Sequence, residues 1–192
     1  MSAISTKRMT AREFLQLPED PPEVRRELVE GEIIVSPSPN LSHSNVDRVL
    51  SHILMAHIEA TATGKVSGKL FGDVDNAVAK FTVRRPDIFY FSGPRLHLVA
   101  TGAVLGPPDL CVEIISPSSA RTDRVDKLRE YAEYGVANYW IIDPIQKTAE
   151  AHVLANGEYA LAAKGKGEGK VHFPPFLDLE IPLAKLWWPK TL

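Results

Sequence analysis

The sequence holds a single cysteine, Cys111, so no disulfide can close within the chain and no cysteine-rich zinc site can form. No run approaches the ~20 consecutive apolar residues of a membrane-spanning helix. The opening residues, MSAISTKRMTAREF, lack the apolar stretch of a secretory signal peptide, so a cytoplasmic protein is expected. Net charge is nearly absent as well. With 22 Lys and Arg against 24 Asp and Glu, the formal balance is −2, and no overall field marks nucleic acid or an anionic membrane as partner. A local basic stripe would not need one. Nor is there the bias of a disordered chain. Hydrophobic residues at 44% and charged residues at 24% of 192 are ordinary globular values, and the length suits one domain with a substantial core. No repeat or linker divides the chain, so a single domain over 1–192 is expected.

Hydrophobic periodicity alternates between strand and helix. Thr10 to Glu13 fits a capping box for a short helix that must stop before Pro18, with Pro21-Pro22 extended beyond it. Glu27 to Val35 reads as two short strands around a turn at Glu30-Gly31, and 36–40 as a loop. Val46, Val49, Leu50, Ile53, Leu54 and His57 recur at helical spacing over about Leu41 to Thr63, with Gly64 as the stop. Strand-like runs follow at 65–71, 74–83, 87–91 and 109–115. Between the last two, 92–108 holds three glycines and three prolines and reads as a loop. A helix is expected from about Thr122 to Tyr134, closed by Gly135, then a strand from Asn138 to Ile142 and a turn at Asp143-Pro144. The stretch 148–173 looks like a β-meander with a Gly/Lys-rich tip at Lys164 to Lys170. The apolar tail with Trp187 and Trp188 should dock on the body.

Three segments place charge where strand or helix packing would not ask for it. Asp87 stands at the mouth of the apolar strand Ile88-Phe89-Tyr90-Phe91; it is either a turn residue or a placed carboxylate, because aspartate is poor in strands. In Asp109-Leu110-Cys111-Val112-Glu113-Ile114-Ile115, period two puts Leu110, Val112 and Ile114 on one face and Cys111, Glu113 and Ile115 on the other. A carboxylate inside such a strand is costly unless it is paired or bound to metal. An arginine such as Arg26, Arg85 or Arg121 would satisfy it; so would a cation. On the following helix, Val125, Leu128 and Ala132 form the expected packing stripe with Lys127 at its margin. Lys127 could equally be solvated, or paired with Asp123 at i,i+4. Glu27, or less readily Glu32, adds an acid from the first hairpin. Two carboxylates on neighbouring strands, a third acid and a lysine are together the parts of metal-assisted phosphodiester hydrolysis.

The segments RRPDIFYF and DLCVEIISPSSARTDRVDKLREYAEYGVANYWIIDP resemble the Uma-two family of endonuclease-like proteins in the PD-(D/E)XK superfamily. RELVEGEIIVSPSPNLSH resembles that family's opening hairpin and loop, and the likeness runs from about Met9 to about Trp187. It implies an α/β (α+β) fold: a restriction endonuclease-like core, a mixed β-sheet flanked by helices, and an extra C-terminal β-meander. It makes Asp87 the acid of the PD element and Glu113 the second metal-binding acid. Glu27 becomes the N-terminal acid, preceded by Arg26 where the family commonly has an aromatic residue. The superfamily's usual lysine position, two after the second acid, is Ile115 here. The resemblance moves that lysine to Lys127, in DRVDK.

The implied activity is a Mg²⁺- or Mn²⁺-dependent DNA endonuclease. In it Asp87, Glu113 and Glu27 hold the metal, Lys127 acts on the attacking water, and Arg84, Arg85, Arg121 and Arg124 meet nucleic-acid phosphates. Cutting both strands would suit a symmetric homodimer. The alternative from another class is a non-catalytic nucleic-acid-binding or interaction module that keeps the fold. Other chemistries find no support. Cys111 has no fixed histidine partner, the six histidines show no HExxH spacing, and Ser116 to Ser119 lie in no G-x-S-x-G elbow.

Overall fold

The structure, a computed structural model, describes residues 8–19, 21, 24–36, 40–62, 67–100 and 103–188. Pro22, the middle of the 36–40 loop and Gly64 lie outside them. Helix α1 (Ala11–Phe14) starts with the expected capping box, Thr10 and Glu13 each bonding the other's backbone N–H. Strands β1 (Arg25–Val29) and β2 (Glu32–Ser36) form the first hairpin. Its two turn residues, Glu30 and Gly31, have φ of 49° and 89°, the positive pair that matches a two-residue turn to the strand twist. Helix α2 (Leu41–Thr61) buries His43, Val46, Leu50, Leu54 and Ile58 on one face, the three-and-four spacing of an amphipathic helix.

The strands then form two six-stranded sheets and one two-stranded hairpin. In the first, β1 and β2 join β4 (Asn76–Ala79) and β5 (Thr82–Arg84), two strands that turn at Lys80-Phe81 where the sequence suggested one run at 74–83. The stretch 92–108 is more ordered than a loop. It holds a 3₁₀ turn (Gly93–Leu98) and the short strands β7 (Val99–Ala100) and β8 (Ala103–Leu105), with β8 parallel to β4. Strands of two or three residues leave no alternation to read. Here the Asn76 side chain secures the pairing by donating to the carbonyls of Val104 and Gly106.

The second sheet contains β3 (Lys69–Phe71), β6 (Ile88–Phe91), β9 (Leu110–Ile114), β10 (Asn138–Asp143), β11 (Thr148–Ala155) and β12 (Glu158–Lys166). All residues of β9 and β10 are buried, as for strands covered on both faces. Leu110, Val112 and Ile114 pack with the apolar face of α2 and with the hairpin β13 (Lys170–Phe173) and β14 (Phe176–Pro182). Cys111 and Ile115 pack on the other side with Tyr131 and Val136. The expected meander therefore splits: β11 and β12 extend the main sheet, while β13 and β14 cover it. Trp187 is buried in that cover, and Trp188 stays 39% exposed.

Strands β9 and β10 are parallel, so the chain must cross over between them. The crossover is helical from 120 to 133, a π turn (Thr122–Asp126) running into α3 (Lys127–Glu133). That wider turn changes which side chains face inward. Val125, expected in the packing stripe, is 55% exposed, while Asp123, Lys127 and Tyr131 are buried. The helix ends as expected at Gly135, φ 81°. Val136 N–H reaches the Tyr131 carbonyl and Gly135 N–H that of Ala132, a Schellman closure. No helix of the described residues is long and apolar enough to cross a membrane.

Replacing Gly135 by alanine forces a side chain into the left-handed region at a cost of about 1–2 kcal/mol. Urea unfolding of Gly135→Ala should show a lower midpoint with unchanged slope; an unaltered midpoint contradicts this account of the helix end.

Candidate active site

Residues 84–87 carry the chain from the first sheet, at β5, to the second, at β6. The junction sets two acids by register alone. Ile88 pairs with Val112, so one step further Asp87 falls opposite Glu113, and directly opposed residues share a face. In the first sheet Leu28 pairs with Val83, which by the same step sets Glu27 opposite Arg84. The crossover helix then brings Lys127 to the end of β9, and a cleft of about 550 Å³ opens there between the two sheets and the helix. All four residues line it, with His43 and Arg25 beside them.

The buried charges at the centre of the cleft are bonded to one another or to backbone. Lys127 Nζ lies 2.8 Å from Glu113 Oε2 and 3.1 Å from Asp123 Oδ1, and Tyr131 donates its hydroxyl to Glu113 Oε1 at 2.8 Å. Asp87 Oδ2 accepts from Ile114 N–H at 2.7 Å and lies 3.1 Å from His43 Nε2. Its Oδ1 is 3.3 Å from Arg25 Nη1. Glu27 accepts from Arg85 N–H at 2.8 Å and from Arg84 Nη1 at 3.0 Å, and Arg84 turns its other edge to both oxygens of Glu130.

The acids titrate apart. Burial foremost pushes Glu113 up to about 8; Asp87, Asp123 and Glu27 add to the rise and Lys127 opposes it. Burial acts upward on Asp87 too, but the hydrogen bond from His43, then Arg25 and Lys127, hold it below the ordinary carboxylate value. Glu27 is likewise held low against its burial, by Lys127, Arg84 and the Arg85 N–H. Burial would strip Lys127 of its proton, yet Glu113, Glu27 and Asp123 outweigh it and raise its pKa.

Asp87, Glu113, Lys127 and Glu27 therefore stand together as the sequence expected. The arginines do not form one group. Arg84 is buried and holds Glu27. Arg85 is partly exposed beside Asp75, and Arg124 pairs with Asp143 and Glu150. Arg121 is exposed. Glu32 is exposed outside the cluster. Glu113 is satisfied by Lys127 and Tyr131, not by Arg26, Arg85 or Arg121. Cys111 is wholly buried and its thiol pushed up by burial, consistent with a packing role. Four neighbours carry no signal of their own as site residues in the sequence: Arg25, which shares Glu27's face at period two; His43; and Asp123 and Tyr131, each four residues from Lys127.

The donor chemistry suits a small divalent cation. Mg²⁺ is ordinarily held by one or two carboxylates and fills its remaining positions with waters and substrate phosphates. Among the described residues no three His, Cys, Asp or Glu side chains are grouped to hold a metal ion, so Asp87 and Glu113 offer a partial set rather than a cage. The excess of acid that lifts Glu113 is what a cation would relieve.

The family whose sequence profile matches the chain is Uma2, described as "Putative restriction endonuclease", over residues 11–184. Among solved structures, one described as "a putative nuclease belonging to DUF820" from Anabaena variabilis ATCC 29413 is similar, with a TM-score of 0.73 and 23% identity. The match covers 93% of this chain and 97% of that one; at this identity the likeness is one of fold. No curated protein matches.

The raised pKa of Glu113 has a signed consequence. Its ordinary value is 4.5 and its folded value about 8, so between them the folded chain holds a proton that the unfolded chain has released. Stability must then fall as pH rises through that window. In EDTA, the urea midpoint of the wild type should drop between about pH 5 and 8, and Glu113→Gln should flatten the decline; equal slopes would contradict the shift.

Proposed function

The chain belongs to the Uma2 family, and from that membership and its acidic cleft we propose that it is a Mg²⁺- or Mn²⁺-dependent endonuclease that hydrolyses phosphodiester bonds in DNA. The observation that carries the proposal is one juxtaposition: Asp87 across the strand register from Glu113, with the Lys127 ammonium 2.8 Å from Glu113. Asp87 and Glu113 would hold the ion, which supplies polarisation of the phosphodiester and a more acidic water.

The protein's own groups divide the remaining work. Lys127, with its pKa raised, stays protonated at any working pH. It is therefore not a base; it orients the attacking water and stabilises the negative charge that grows on the phosphate oxygens. Glu27, held by Arg84 and the Arg85 N–H in the same cleft, would assist directly or through water. Arg85, from the cleft lining, and Arg121 and Arg124, from the crossover helix, would meet phosphates along a bound strand. Arg84 serves by fixing Glu27. Two such clefts are needed to cut a duplex through, which a symmetric homodimer would supply.

The internal pairing of Glu27, Asp87 and Glu113 also favours a second reading, in which a non-catalytic module keeps these ion pairs as structure alone. A nicking assay separates the two. Nicking of supercoiled plasmid should require Mg²⁺ or Mn²⁺ and fall at least ~100-fold in Lys127→Ala and in Lys127→Gln, with circular dichroism reporting that both fold. Full activity in a folded Lys127 variant would sink the assignment. No cleavage by the wild type with either ion would favour the non-catalytic module.

A further inference from the structure

His43 takes no part in the chemistry above, yet two contacts and its burial define its place. Asn40 caps α2 by accepting from the His43 backbone N–H at 3.0 Å, which pins the first turn. The ring is buried, 7% exposed, and lines the cleft. Its Nε2 lies 3.1 Å from Asp87 Oδ2. A carboxylate oxygen only accepts, so Nε2 carries the proton of this bond.

The same Oδ2 accepts from Ile114 N–H. Two donors from different elements, α2 and the end of β9, thus converge on one oxygen and fix the rotation of the carboxylate about its Cβ–Cγ bond. Oδ1 meets Arg25 Nη1 at 3.3 Å, and it is this longer contact that an arriving cation would displace. Packing alone does not account for the imidazole. Its Nδ1 is buried without a partner among the described residues, and leaving a buried polar nitrogen unsatisfied is unfavourable. An apolar side chain of the same volume would avoid that loss, but could not bond Asp87.

We infer that His43 is a positioning residue for the cation site, its Nε2–H holding Asp87 so that Oδ1 is the oxygen offered to a divalent ion. The inference rests on the metal-dependent function proposed above. Hydrogen bonds to metal-holding groups govern affinity at a distance, and their loss typically weakens binding 10–100-fold.

The test is calorimetric titration of MnCl₂ into the full chain, for the wild type, His43→Gln and His43→Asn. The glutamine amide reaches about as far as Nε2; the asparagine amide stops near Nδ1 and cannot bond Asp87. Mn²⁺ affinity should stay within about threefold of wild type in His43→Gln and fall at least ~10-fold in His43→Asn, with similar unfolding temperatures for the two variants. A residue needed only for packing would move the unfolding temperatures and leave affinity alone. Wild-type affinity in His43→Asn overturns this inference and leaves the metal site standing. An absence of Mn²⁺ binding in the wild type overturns the metal-dependent reading and this inference with it.

Discussion

The structure depends on holding one carboxylate, Glu113, near the end of a strand that is buried throughout. An ionised carboxylate in such a place is prohibitive unless opposite charge and hydrogen bonds surround it. The surroundings are built to that demand. Lys127 and Tyr131 bond its two oxygens, both from the crossover helix that parallel pairing of β9 and β10 requires. Along the π turn and α3, Asp123, Lys127 and Tyr131, four residues apart, are buried on one face while Val125 is exposed. Even so the balance falls short, and Glu113 titrates near 8. Breaking a buried pair of this kind typically costs about 3–5 kcal/mol, whereas well-packed apolar residues in its place would be as stable or more so. Packing alone therefore gives no reason for the cluster, and an added cation would be favourable there.

The electrostatics also separate the roles of the acids. Composition alone would not tell Asp87 from Glu113. In the fold, Asp87 has three donors around it, while Glu113 has two against three neighbouring acids. One carboxylate is poised to stay ionised, the other to change its state with pH or with a cation. Divergent pKa values in adjacent carboxylates are a common mark of functional sites.

Much of the site was legible in the sequence because its signals were local violations of pattern. A glutamate between Val112 and Ile114, and an aspartate at the mouth of an apolar strand, conflict with burial at period two, and such conflicts concentrate at functional sites. The hairpin at Glu30-Gly31, the capping box at Thr10 and the stop at Gly135 were legible for the same local reason. What escaped was non-local. The division of the strands into two sheets follows from pairings between segments far apart in sequence, such as β1 with β5. His43 and Arg25 reach Asp87 only through tertiary packing. The outward turn of Val125, expected in the packing stripe, falls in a π turn where a 3.6-residue period does not apply. Arg84 looked like a phosphate ligand because arginine beside an acidic motif is ambiguous until its partners, Glu27 and Glu130, are seen.

The central claim is that Asp87 and Glu113 form a divalent-cation site. The most direct measurement is the unfolding temperature of the wild type and of Asp87→Ala at about pH 8, each with and without Mn²⁺, since a ligand that binds only the folded chain must stabilise it. The account predicts that Mn²⁺ raises the unfolding temperature of the wild type and leaves that of Asp87→Ala unchanged. An equal rise in both, or none in the wild type, would contradict it.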